Sequence, residues 1–264
     1  WVFFINVVPG LAVTVLTVRF LRVDRADTSM FRRIDWMHLL AMAVFLGSLQ
    51  YVLEEGPRLD WFGDSTIMMS AWLSLVAFVL FLERSFFSQS PIVKLTPFRR
   101  PSFMFACVFN LVIGFGMFAS TYLIPVFLGR VRGFNSLQIG ATVFVVGLSQ
   151  IFSTLIAAPL SQRVDGRLLF TVGLSLFALS LWLTSHATPQ WGFAEFLVPQ
   201  LVRGLALMLC IVPSVGLALT GFESVELRYA SGLFNLMRPL GGAIGIALVN
   251  TSLQDSGRIA MARF

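Results

Sequence analysis

Two arginines, Arg203 and Arg238, stand inside runs that are otherwise free of charge. An ionised guanidinium at the middle of a bilayer costs about 2.5–3.5 kcal/mol on insertion scales. If these runs cross a membrane, each arginine needs a carboxylate, a carbonyl or a water-filled cavity. Arg203 shares a helical face with Gln200, below Pro199, and is the stronger candidate for chemistry. Glu195, eight residues before it, is too far along a straight helix to pair with it, and reads as a solvated helix end. Arg238 lies on one face with Asn235, Gly242 and Gly245, at spacings of three, four and three. Gly241-x-x-x-Gly245 on the same helix lets a neighbouring helix approach closely, so Gly241, Gly242 and Gly245 read as a packing surface. Pro239 frees a backbone carbonyl one turn earlier and permits a bend. Three readings of Arg238 stay open: snorkelling to the surface, a structural or gating pair, and direct contact with a bound molecule.

Softer polar positions recur in other apolar runs. Asn110, Gly114, Met117 and Thr121 fall on one helical face, followed by Tyr122 and Pro125. Gln150 and Thr154 are one turn apart. Such residues commonly tie helices together, but among Phe and Met they also suit a greasy, adaptable cavity. On this reading Asn110, Tyr122, Gln150, Gln200 and Arg203 are the candidate cavity residues.

Catalytic signatures are missing. The sequence has no H-E-x-x-H, G-x-S-x-G, phosphate-binding loop or C-x-x-C. His38 and His186 fall at opposite ends of their runs, and the two cysteines, Cys107 and Cys210, are far apart in apolar sequence. Neither an enzyme, nor a metal site, nor a nucleotide-driven pump is indicated.

The elements that must position these residues follow from composition. Of 264 residues, 57% are hydrophobic and 12% charged, with a mean hydropathy of +0.84. A soluble domain carries about 25% charged residues. The expected fold is an all-α polytopic membrane protein with about eight transmembrane helices. They fall near 2–21, 36–53, 65–82, 102–128, 137–160, 168–185, 195–220 and 230–253. The fourth to sixth occupy charge-free runs of 29, 30 and 27 residues.

Orientation follows from the loops. On one side lie 12 basic residues: Arg19, Arg22, Arg25, Arg32, Arg33, Arg84, Lys94, Arg99, Arg100, Arg163, Arg167 and Arg228. The other side has 5: Arg58, Arg130, Arg132, Arg258 and Arg263. The positive-inside rule makes the first side cytoplasmic. The basic balance therefore reports topology and not a nucleic-acid partner. A proline-containing connector at 83–101, with Pro91, Pro97 and Pro101, is expected to lie along the cytoplasmic surface. It divides the first three helices from the last five.

Four stretches carry a family resemblance. Pro159-Leu-Ser-Gln-Arg-Val-Asp-Gly-Arg167 resembles the G-x-L-x-D-R-x-G-R-R signature of the major facilitator superfamily, with Ser161 and Gln162 departing from it. The opening Trp1-Val-Phe-Phe-Ile-Asn-Val-Val-Pro-Gly10 resembles the start of helix six in the 14-helix drug/proton antiporters of the EmrB/QacA type. Arg32-Arg-Ile-Asp35 and GSLQYVLEEGPRLDW (47–61) resemble the extra central hairpin of that group. ASGLFNLMRPLGGAIGIAL (230–248) is similar to its thirteenth helix.

The resemblance implies a partial major facilitator fold: 1–21 as the last helix of the N-terminal half, 22–101 as the inserted pair with connectors, and 102–264 as an incomplete C-terminal bundle. The chain opens without an initiator Met, and a start partway through a longer protein is expected. The acidic residue of helix one and the antiporter signature of helix five, which the family uses for proton coupling, would then lie outside it. The implied function is proton-coupled efflux of amphipathic drugs by alternating access, in a bacterial inner membrane. A proton gradient would be the driving force, with no cofactor. Asp165, Arg167 and Arg238 would couple conformations. The partners implied are small amphipathic substrates and the lipid bilayer. Whether a periplasmic membrane-fusion adaptor protein is engaged stays open, as do export of an endogenous metabolite or siderophore and a non-transporting remnant.

Overall fold

The helices start where short capping motifs meet the apolar runs. In the computed structural model, residues 7–20, 35–59, 61–88 and 93–261 are described, with side chains except at 224, 225 and 255–261. Arg22, Arg25, Arg32, Arg33, Asp60 and Pro91, the opening residues to Asn6, and the side chains of Arg258 and Arg263 lie outside the described residues. By internal contacts the chain divides into Trp1–Asp35 and Trp36–Phe264.

In the first unit, α1 spans Val7–Phe20. Within it Thr14 donates to the Gly10 carbonyl at 2.8 Å.

The second unit opens with α2 (Trp36–Glu55) and α3 (Ser65–Phe87). They pack as a hairpin through Phe45, whose ring lies 4.8 Å from Phe78 and 6.2 Å from Phe81. Asp64 caps α3, accepting the N–H groups of Thr66 (2.7 Å) and Ile67 (3.3 Å). In the connecting loop Trp61 adopts φ 53°, rare for a bulky residue, and its N–H bonds the Gly56 carbonyl at 2.8 Å. Its ring covers Gly56, where a Cβ would come within 2.8 Å of the indole.

A 3₁₀ turn, Thr96–Arg99, leads into α4 (Pro101–Arg130), α5 (Ser136–Leu160), α6 (Gly166–Ser185), α7 (Phe193–Leu219) and α8 (Ser224–Met261). Asn135 and Gln138 form a reciprocal capping box at the start of α5, at 2.9 and 3.0 Å. The main pairings are α4 with α8, α6 with α7, and α5 with α7. Three buried clusters stack along the bundle. The first joins Phe103, Cys107, Ala218 and Phe234; the second Ile113, Phe177, Ala206 and Leu207; the third Ile124, Leu128 and Phe196.

Seven of these helices, α2 to α8, are long and apolar enough to cross a membrane, and α1 is a shorter apolar helix of 14 described residues. Large apolar side chains such as Phe144 and Leu155 are exposed along them. Lipid gives no hydrophobic drive between helices, so buried small and hydroxyl residues, such as Ala206, Ser149 and Ser153, bring backbones together. The connector differs from the surface strip expected. Helix α3 continues to Phe87, since Glu83 and Arg84 are good helix formers, and Val93, Leu95 and Phe98 then pack on the first cluster. Pro97 is buried there.

Candidate functional site

Arg203 is the most deeply buried charge among the described residues, with 3% of its surface exposed. It stands ten residues inside the start of α7, about 15 Å along the axis. Ser120 stands ten residues before the end of the antiparallel α4 and meets it at the same depth. One guanidinium nitrogen donates to Ser120 Oγ at 2.7 Å, while Nε is buried without a partner. Ser120 also donates to the Gly116 carbonyl at 2.7 Å, so its hydroxyl oxygen is free to accept. A cation with five donors, held by a neutral hydroxyl, is an incomplete site for an anionic or carbonyl group.

Of the other candidate residues, Gln200, Asn110 and Tyr122 sit in helix–helix contacts. Gln200, one turn before Arg203, donates to the Thr142 carbonyl on α5 at 3.4 Å. Ser149 and Ser153 of α5 donate to the Leu201 and Leu205 carbonyls of α7 at 2.8 and 2.7 Å. Gln150, partly buried on the next face of α5, offers its carbonyl to Thr154 at 2.8 Å. Asn110 is buried on α4 and donates to the Phe234 carbonyl of α8 at 2.6 Å. That carbonyl neighbours Asn235, whose own carbonyl loses its donor to Pro239. Tyr122 donates to Asn250 Oδ1 on α8 at 2.6 Å.

The α4–α8 crossing is closed by glycine. A Cβ on Gly241 would strike the Leu111 backbone, one on Gly245 would come within 2.7 Å of the Phe115 carbonyl, and one on Gly242 within 2.5 Å of the Phe118 ring. From the other side, a Cβ on Gly114 would strike the backbone of Arg238. The Arg238 backbone is thus pinned against α4, while its half-buried guanidinium has no ion pair among the described residues.

Asp165 caps α6, accepting the Arg167 N–H at 2.8 Å, and both side chains are exposed. Arg167 edges a groove of about 410 Å³ between α4, α6 and α7, lined by Phe105, Phe109, Phe170 and Leu217. Glu195 turns back onto its own helix start, accepting the Gly192 N–H at 2.7 Å. The structure therefore gathers Gln200 and Arg203 on α7 against α4 and α5, and Asn110, Tyr122 and Arg238 along α4–α8, while Asp165 and Arg167 lie at the far end.

Several contributors were not singled out from sequence. Ser120, Thr142 and Asn250 are ordinary residues until the pairing of helices is known; equal depth on antiparallel spans was the one signal for Ser120. Arg100 reaches from the connector to the Gly221 carbonyl and to Glu226 Oε2 (3.4 Å), and lies over the Phe222 ring at 4.2 Å. His38, fully buried on α2, meets Ser85 of α3 at 3.2 Å.

Comparison with known proteins decides the family. The model described as Major Facilitator Superfamily matches residues 1–246. The chain belongs to that superfamily. Its relatives include the colistin resistance protein EmrB of Acinetobacter baumannii, 36% identical over 96% of this chain and 49% of the relative. The multidrug export protein EmrB of Escherichia coli K12 is 29% identical over 95% of this chain and 49% of its own length. The fatty acid resistance protein FarB of Neisseria gonorrhoeae is 25% identical over all of this chain and 52% of its own. The chain thus spans about half the length of these relatives, and it is a multi-pass inner-membrane protein of the superfamily. In this superfamily member the buried arginine lies between α7 and α4.

Proposed function

We propose that the protein carrying this chain expels amphipathic toxic compounds from the bacterial cytoplasm, by alternating access coupled to the proton gradient. The family and the names of the relatives, multidrug export and colistin resistance proteins, support efflux. Arg203 carries the reading for this chain: a buried cation at mid-depth, met by one neutral hydroxyl, is poised for a group that comes and goes. Substrate would lie against α4, α5, α7 and α8, with Asn110, Tyr122 and Gln200 exchanging helix contacts for cargo contacts during the cycle and Gln150 adding a further cargo contact. Pro125, Pro199, Pro213 and Pro239 interrupt the hydrogen-bond ladders of three of these helices and supply places to bend. Arg238, Asp165 and Arg167 would couple those bends to opening at the two ends.

The test is drug resistance in a susceptible host expressing the full-length protein. Arg203→Ala and Arg238→Ala should each reduce resistance while membrane abundance is unchanged. Wild-type resistance at equal abundance would remove those residues from the mechanism.

A further inference from the structure

A second concavity, of about 400 Å³, lies at the arginine-rich end of the molecule, between the end of α3 and the connector into α4. Ser85, Ser88, Thr96, Lys94 and Arg99 line it, and no carboxylate does among the described residues. Neither Lys94 nor Arg99 forms an ion pair among the described residues. Lys94 instead lies 5.5 Å from the centre of the Tyr229 ring. The neighbouring Arg100 is already taken by Glu226 and Gly221, so it closes the connector onto the bundle and leaves the other two cations facing the cleft. Beside the cleft, Phe86 and Phe87 are 68% and 84% exposed on the last turn of α3. Two bare phenylalanines next to two unpaired cations place the cleft where hydrocarbon gives way to headgroups. The anions abundant at that depth are lipid phosphates, and basic pockets at the cytoplasmic ends of membrane helices suit them.

We propose that this cleft binds the phosphate of an anionic phospholipid of the cytoplasmic leaflet. Lys94 and Arg99 pair with the phosphate oxygens, and Thr96 supplies a hydroxyl donor. The acyl chains run along Phe86 and Phe87. Because the connector joins α3 to α4, an occupied cleft ties the inserted hairpin to the C-terminal bundle through a lipid. The site is independent of the transport reading and stands or falls separately.

The experiment is native mass spectrometry of the full-length protein in detergent, titrated with phosphatidylglycerol or phosphatidylcholine, with inorganic phosphate as competitor. The Lys94→Gln/Arg99→Gln pair should weaken phosphatidylglycerol binding about twenty-five-fold, roughly fivefold per charge. Lys94→Arg should retain it, and Arg130→Gln, a charge at the other end of α4, should leave it unchanged. Phosphatidylcholine should bind at least about tenfold more weakly to the wild type, a comparison that needs no variant. Equal binding of the two lipids, or undiminished binding by the double variant, overturns the proposal. Displacement of phosphatidylglycerol by millimolar inorganic phosphate assigns the cleft to free phosphate and overturns the lipid as its occupant.

Discussion

Replacing Gly241 by alanine should loosen the α4–α8 crossing, although the change adds one methyl group. The new Cβ would strike the Leu111 carbonyl oxygen, with the carbonyl carbon at 2.8 Å and Cα at 3.1 Å, whereas ordinary contact begins at 3.4 Å. The obstacle is backbone, so no rotamer change relieves it, and the two helices must part by more than half an ångström. That movement also opens the contacts of Gly245 on Phe115 and of Gly114 on Arg238. Overpacking of this kind costs about 3 kcal/mol at the upper end of the usual range. Alanine returns about 1 kcal/mol through its helix propensity. The net loss is about 2 kcal/mol, roughly thirtyfold in the folded population. Gly147, exposed on α5 with nothing within 4 Å, serves as the opposite case: alanine there should be neutral or up to about 1 kcal/mol stabilising. Thermal unfolding of the two variants in the same detergent measures the difference. If Gly241→Ala unfolds at or above the wild-type midpoint, the backbone contact at Leu111 does not limit the approach of the helices.

Three further outcomes are expected. Ser120→Ala should cost about 1–2 kcal/mol by leaving a buried guanidinium donor unmatched, while Arg203→Met should be neutral or stabilising yet reduce resistance, a split that unfolding and resistance assays together detect. Tyr122→Phe, losing its bond to Asn250, should destabilise by about 0.6 kcal/mol, the usual worth of a hydrogen bond between membrane helices, read from the same unfolding curves. The Thr66 N–H holds the Asp64 carboxyl below its ordinary value of 3.8, so its contribution is complete above that pH and lost as pH falls through the lower folded value. Asp64→Ser, which still caps the helix but does not titrate, should show a shallower fall of the thermal midpoint below about pH 4.

The helices were legible because charge is expensive in hydrocarbon: the charge-free runs between Arg100 and Arg130 and between Arg132 and Arg163 bracket α4 and α5 to within a few residues, and Arg167 marks the start of α6. The connector was less so, because its charges mark a surface while Val93, Leu95 and Phe98 carry it inward onto Phe103. Arg203 and Arg238 stood out by type alone, and Gly241 and Gly245 by spacing. Their partners did not. Leu111, Phe115 and Phe234 contribute backbone atoms, which any residue supplies, and Ser120 became visible only through the antiparallel pairing of α4 with α7. Gln200 and Asn110 illustrate the same limit: their types predict a hydrogen bond, and only the packing says that the acceptors are the carbonyls of Thr142 and Phe234.

Efflux driven by protons is tested most directly in proteoliposomes holding the full-length protein, with an imposed pH gradient and a fluorescent amphipathic dye. We expect dye movement that depends on the gradient, collapses with a protonophore, and falls at least about tenfold in Arg203→Met at equal protein content. A folded, abundant wild type that moves no dye under the gradient would contradict the proposed activity. Undiminished transport by Arg203→Met would contradict the role given to the buried arginine.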